Sequence, residues 1–148
     1  MRIDFNEIAS MTFPGMDNGT GMMSARMYND DSYRIIPTAI HPGGSIGNHK
    51  QNSGDDMNYI ISGTGLLRTP KGEREVRGGE LIFFPAGEEG AHKLTNISDS
   101  SNLVYIDFDV THDLDVAVYP DSDKIGVWGM GINQMYPKSA NVDYYDGE

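Results

Sequence analysis

The chain has 148 residues, with 22 acidic against 11 basic side chains and a formal net charge of −11. Hydrophobic residues make up 38% and charged residues 22%, which suits one domain with a real core and is too short for a second module. Such a charge repels nucleic acid and anionic membranes, and the cations Arg68, Lys71, Arg74 and Arg77 are interleaved with Glu73, Glu75 and Glu80, which cancel most of their field.

Cysteine is absent, so disulfides and thiolate metal sites are excluded and any metal must take nitrogen and oxygen ligands. No apolar run approaches the roughly 20 residues needed to cross a bilayer, and the first ten residues lack an apolar signal core, so a cytoplasmic location is expected. The glycosylation sequons at 18–20 and 96–98 are then accidental.

In chain order, the first twenty residues carry Met11, Phe13 and Met16 among proline and glycine. A short helix and an arm docking on the barrel or on a neighbour are both open there. Strands are predicted over 23–28, 33–40, 45–51, 58–62, 65–69, 73–76, 80–84, 92–96, 103–110 and 116–119, where Ile, Val, Thr, Tyr and Phe recur between turn residues. Gly63 and Gly65 mark one tight bend, and Pro70 with Gly72 marks a hairpin. Glycine occurs 18 times and proline 7 times, which fits an all-β barrel or sandwich.

Strand alternation turns His49 and Gln51 to one face, with Lys50 on the other, and groups Asp56, Asn58 and Ile60 on one face of the next strand. His92 opens a later strand after a glycine-rich turn. Two imidazoles and a carboxylate form the set that holds Fe(II) and similar ions with open positions for substrate. Asn58 is a candidate for a substrate oxygen or a metal-bound water. His41, before Pro42, is read as a strand-end histidine outside the site. Phe83 and Phe84, being adjacent, must face opposite ways.

Segment 44–63 places Gly44, His49, Gln51, Asp56 and Gly63, and segment 79–96 places Gly79, Pro85, Gly87, His92 and Asn96. This pair of motifs resembles the cupin superfamily, with Gln51 where the family has a second His, Asp56 where it has Glu, and two extra residues before His92. The stretches 119–127 and 142–148 resemble the tail of uncharacterised single-domain bacterial cupins, some loosely labelled sugar-phosphate isomerases. The resemblance implies a double-stranded β-helix, or jelly-roll barrel, with an arm and first strand over 1–30, the barrel over 31–118 and an extension over 119–148. It implies one divalent metal ion (Fe, Mn, Zn or Ni) on His49, Asp56 and His92, with Gln51 as a fourth ligand.

A metal-dependent enzyme acting on a small polar metabolite, such as a sugar, sugar phosphate or carboxylic acid, is the expectation. Isomerase, lyase and dioxygenase chemistry all fit, and no general base is visible beyond the ligands. The alternative is a non-catalytic module that binds or senses a small molecule. A homodimer is expected, because an open sandwich must cover its edge strands. The segment 119–124 reads as a lid or as an ordinary turn.

Overall fold

The structure, a computed structural model, describes residues 1–14, 16 and 21–147; the sequon at 18–20 and part of the N-terminal arm lie outside the described residues. In chain order the strands are β1 (Met11–Pro14), β2 (Met22–Ala25), β3 (Tyr28–Asn29), β4 (Tyr33–Ile40), β5 (Ser45–Gln51), β6 (Asp56–Ser62) and β7 (Thr64–Thr69). They continue as β8 (Gly72–Arg77), β9 (Leu81–Phe84), β10 (His92–Asn96), β11 (Leu103–Val110), β12 (Leu114–Tyr119), β13 (Lys124–Gly129) and β14 (Ile132–Pro137). Only single 3₁₀ turns interrupt them among the described residues, and none of these is long and apolar enough to cross a membrane.

Two antiparallel sheets result. One runs β1-β2-β4-β11-β6-β9 with β3 also on β4; the other runs β14-β13-β12-β5-β10-β7-β8. This is the jelly-roll arrangement that the motifs imply.

Several details follow from single residues. The predicted strand over 23–28 divides into β2 and β3 because Pro37 of β4 has no N–H to return; Arg26 N still donates to Pro37 O at 3.1 Å, and pairing resumes opposite Ile35. At the β6–β7 bend, Gly63 has φ +89°, and a Cβ there would lie 2.5 Å from Asn102 O. Pro70 and Lys71 close the β7–β8 hairpin, where Thr69 pairs with Gly72.

The segment 119–124 is the turn of a β12–β13 hairpin, built on a 3₁₀ turn over Pro120–Ser122 and anchored by the Arg68–Asp121 ion pair. The β13–β14 ribbon and the β1 strand extend beyond the strands read from the sequence.

The inward faces change character along their length, and this positions the site. On β11 the inward residues run Leu103, Tyr105, Asp107, Asp109; on β6, Ile60, Asn58, Asp56; on β10, Leu94 then His92. Ile40, Ile60, Leu67, Val76, Ile82, Phe84, Leu94, Leu103 and Tyr105 form the buried core at one end of the sandwich. The other end of the same strands receives imidazoles and carboxyls. Burying the apolar end supplies the hydrophobic stabilisation that permits polar groups to be held, desolvated, beside it.

Candidate metal centre

His49 and His92 are directly paired across β5 and β10, and a bulge in that ladder sets His49 three residues after Ile46, the partner of Leu94. Their ring centroids lie 4.4 Å apart. Asp56, at the start of β6, faces them from the opposite sheet, its Oδ2 3.4 Å from His92 Nε2 and 4.0 Å from His49 Nε2. One ligand atom from each of the three lies within 4.8 Å of the others.

The Nδ1 protons follow from the backbone. His49 Nδ1 donates to Gly47 O at 2.9 Å, and His92 Nδ1 donates to Gly90 O at 2.8 Å. A carbonyl can only accept, so each ring carries a proton on Nδ1 and turns Nε2 towards Asp56. Burial, and then the neighbouring His49 ring, lower the pKa of His92 to about 4, so His92 is neutral at physiological pH. Two ring nitrogens and a carboxylate oxygen therefore converge, and the His92 nitrogen offers a lone pair. A cation suits that convergence: three ligands about 2.1 Å from one ion sit roughly 3.0–3.4 Å apart, a spacing that Asp56 and His92 have at 3.4 Å and that His49 and Asp56 exceed at 4.0 Å.

Phe84, only 4% exposed, stacks on His92 at 3.6 Å between centroids, while its neighbour Phe83 is 56% exposed. The expected opposition of these two rings is thus realised, with Phe84 fixing the plane of an imidazole. Asn58 is buried and donates from Nδ2 to Asp56 Oδ1 at 3.2 Å, so it orients the carboxylate. Gln51 donates from Nε2 to Asp109 Oδ1 at 3.1 Å. The structure brings together His49, Asp56 and His92, with Asn58 behind Asp56 and Gln51 on a different partner. His41 lies elsewhere, with Nε2 3.0 Å from Ser24 Oγ.

Two acids that the sequence reading passed over belong to this cluster. Asp107 and Asp109 form, with Asp56, a second group of carboxyls within 4.8 Å of one another. Burial, and then the charges of Asp56 and Asp109, push Asp107 well above the usual carboxylate range; it also hydrogen-bonds to Asp56, while its Oδ1 is buried without a partner. Burial and Asp56 raise Asp109 to about 7, against the opposing pull of Arg34, whose Nη1 lies 3.4 Å from Oδ2. The signal was present in the alternation: positions 107 and 109 continue the inward face begun by Leu103 and Tyr105.

A cavity of about 570 Å³ opens beside His49 and Asp107, between the sheets. Thr38, Tyr105 and Tyr119 also contribute to it, and its walls are Phe13, Pro14, Met16, Met23, Ala25, Met27, Ile36, Ile46 and Trp128. The Tyr119 ring lies 6.0 Å from that of His49. A second cavity, about 530 Å³, meets Arg34, Gln51 and Asp109 and is otherwise rich in acids, among them Asp30, Asp31, Asp113 and Asp115.

Residues 38–109 match the family model described as Cupin domain. No curated protein matches the chain. Among solved structures, the chain is similar to a cupin-superfamily sugar phosphate isomerase from Silicibacter pomeroyi, with TM-score 0.80 and 18% identity over 99% of this chain and 98% of that one. It is also similar to a predicted oxalate decarboxylase from Thermotoga maritima, with TM-score 0.66 and 19% identity over 76% of this chain and all of that one. A polyketide cyclase from Streptomyces resistomycificus matches with TM-score 0.60 and 20% identity over 76% of this chain and 80% of that one. At these identities the likeness is one of fold.

Proposed function

Residues 38–109 form a cupin domain, and on that footing we propose that the chain is a metal-dependent enzyme acting on a small molecule, its divalent ion held by His49, Asp56 and His92. The observation that carries this reading is the matched pair of Nδ1 hydrogen bonds to Gly47 and Gly90, which turn both Nε2 atoms to the Asp56 carboxylate. A bound divalent ion supplies Lewis-acid polarisation of a carbonyl or carboxylate oxygen.

The chain's own groups do the rest. Asn58 holds Asp56 in place, and Phe84 holds the His92 ring. Asp107 lines the cavity, and its carboxyl is the group that exchanges a proton with a bound molecule. Gln51 and Arg34 together orient Asp109 behind it. Gln51 is assigned this positioning role in place of metal ligation. Calorimetric titration of chelator-treated protein with Mn(II), Fe(II), Zn(II) and Ni(II) tests the reading: it requires one site per chain, absent in His92→Ala.

The chain is also proposed to work as a homodimer. The outward face of the first sheet is apolar across four neighbouring strands, with Ile35 and Pro37 on β4, Ile106 and Phe108 on β11, Tyr59 and Ile61 on β6, and Leu81 and Phe83 on β9. Tyr59, Ile61, Leu81 and Phe83 are each more than two-fifths exposed. A contiguous apolar face of this kind, ending at the edge strand β9, suits a two-fold contact with a second copy.

A further inference from the structure

Of the three metal ligands, His49 lines a cavity whose other walls are largely those of a hydrophobic pocket. Met23 and Ile36 come from one sheet and Met27 from the link between β2 and β3, Ile46 and Trp128 come from the other sheet, and Phe13 closes them from β1. The polar atoms at its surface are concentrated beside the site, on His49, Asp107 and Tyr119; Tyr105, also in the lining, spends its hydroxyl on Thr38.

No lysine or arginine lines this cavity among the described residues, and the stretch 15–20 contains no basic residue either. The adjoining cavity does have Arg34, but that side chain is paired with Asp109 and surrounded by further acids. Apart from the ion of the metal reading, which a carboxylate would meet equally, a phosphate dianion would thus find no lysine and no arginine free of an acid partner in either lining among the described residues. Each sugar hydroxyl buried against Met, Ile and Phe would lose water without gaining a partner, which is costly. An aromatic or branched aliphatic body loses nothing there and removes its own surface from water.

We infer that the cavity takes a compound with an apolar body and one small oxygen-bearing head, a carboxylate or carbonyl, directed at His49 and Asp107, and that it rejects phosphorylated sugars. This departs from the sugar or sugar phosphate that the sequence resemblance implies. The direction of the head rests on the metal reading above; the apolar body rests on the walls alone.

Trp128 is the only tryptophan of the chain and lines the cavity, so its emission reports occupancy. The test titrates the whole protein with 3-phenylpropanoate and with fructose 6-phosphate, once loaded with Zn(II) and once after EDTA, following fluorescence and calorimetry in parallel. Saturable binding of 3-phenylpropanoate at least tenfold tighter than fructose 6-phosphate is expected in the loaded protein. Met27→Glu, which puts a charge in the wall, should weaken it at least tenfold while thermal unfolding stays cooperative. Should that variant not fold, Phe13→Ser makes the same comparison.

Binding of 3-phenylpropanoate that is unchanged by EDTA upholds the apolar cavity and removes support from the ion. Fructose 6-phosphate binding as tightly as the aromatic acid, or an aromatic acid that gives no saturable response by either method, overturns the inference even if one Zn(II) per chain is retained.

Discussion

His49 and His92 face each other as a cross-strand pair, and each is tied by Nδ1 to the carbonyl of the glycine two residues before it. This repeated bond puts a proton on Nδ1 of both rings and aims both Nε2 atoms at Asp56. Replacing either ring by asparagine removes one such nitrogen from the set. His49→Asn and His92→Asn should each lower Zn(II) affinity at least about a hundredfold by competition with a chelator dye, a loss larger than removing a residue that only orients a ligand produces.

Asn58 predicts a smaller effect. Its amide holds Asp56 Oδ1, the oxygen not turned to the histidines. Asn58→Ala should weaken metal binding by about 10- to 100-fold, as loss of a carboxylate-orienting partner does, with one site per chain preserved in the same titration.

Gln51 separates the ligand assignment from the positioning assignment. Its amide is engaged with Asp109, so Gln51→Ala should keep full metal stoichiometry. Leaving a buried oxygen of Asp109 without that donor should lower the stability of the chelator-treated protein by about 1–3 kcal/mol in urea unfolding. Loss of the metal in this variant would return Gln51 to the ligand set.

The apolar outer face makes a prediction about assembly. Phe83→Glu together with Ile61→Lys places opposite charges on β9 and β6 at exposed positions, away from the inward face. Light scattering should find a dimer for the parent chain and a monomer for the double variant, both holding one metal ion per chain.

Gly63 tests the fold without touching the site. Its φ of +89° is unfavourable for any side chain, and an added Cβ would press on Asn102 O and Leu103 Cα. Gly63→Ala should cost about 1–3 kcal/mol, which for a chain of this size lowers Tm by roughly 2–4 °C per kcal/mol, as read by calorimetry.

Strands β4 to β12 were legible because period-two burial and turn residues coincide there; Thr64 to Arg77, with Pro70 and Gly72 at the hairpin, is the clearest stretch. β13 and β14 were not. All six residues of β14 are exposed, so no buried face patterns it, and Gly126 and Gly129 break up β13. β1 was hidden for the same reason, being exposed along its length and containing Pro14.

Within the site, the spacing around His49, Asp56 and His92 was enough to bring them together. The partner of Gln51 was not readable, because Asp109 lies 58 residues away and meets it only across the two sheets. Asp107 and Asp109 were readable in principle from the parity of β11, but acids on a strand look like a solvated face until Leu103 and Tyr105 are known to be buried. The apolar walls of the cavity draw on five strands and on Met16 and Met27 outside them, which no local pattern reveals.

The most direct measurement is an anomalous-scattering crystal structure of protein loaded with Zn(II). The account predicts one strong anomalous peak per chain, within about 2.0–2.2 Å of Nε2 of both His49 and His92 and of a carboxylate oxygen of Asp56. A peak bonded elsewhere, or loaded crystals with the three side chains ordered and no peak between them, would contradict it.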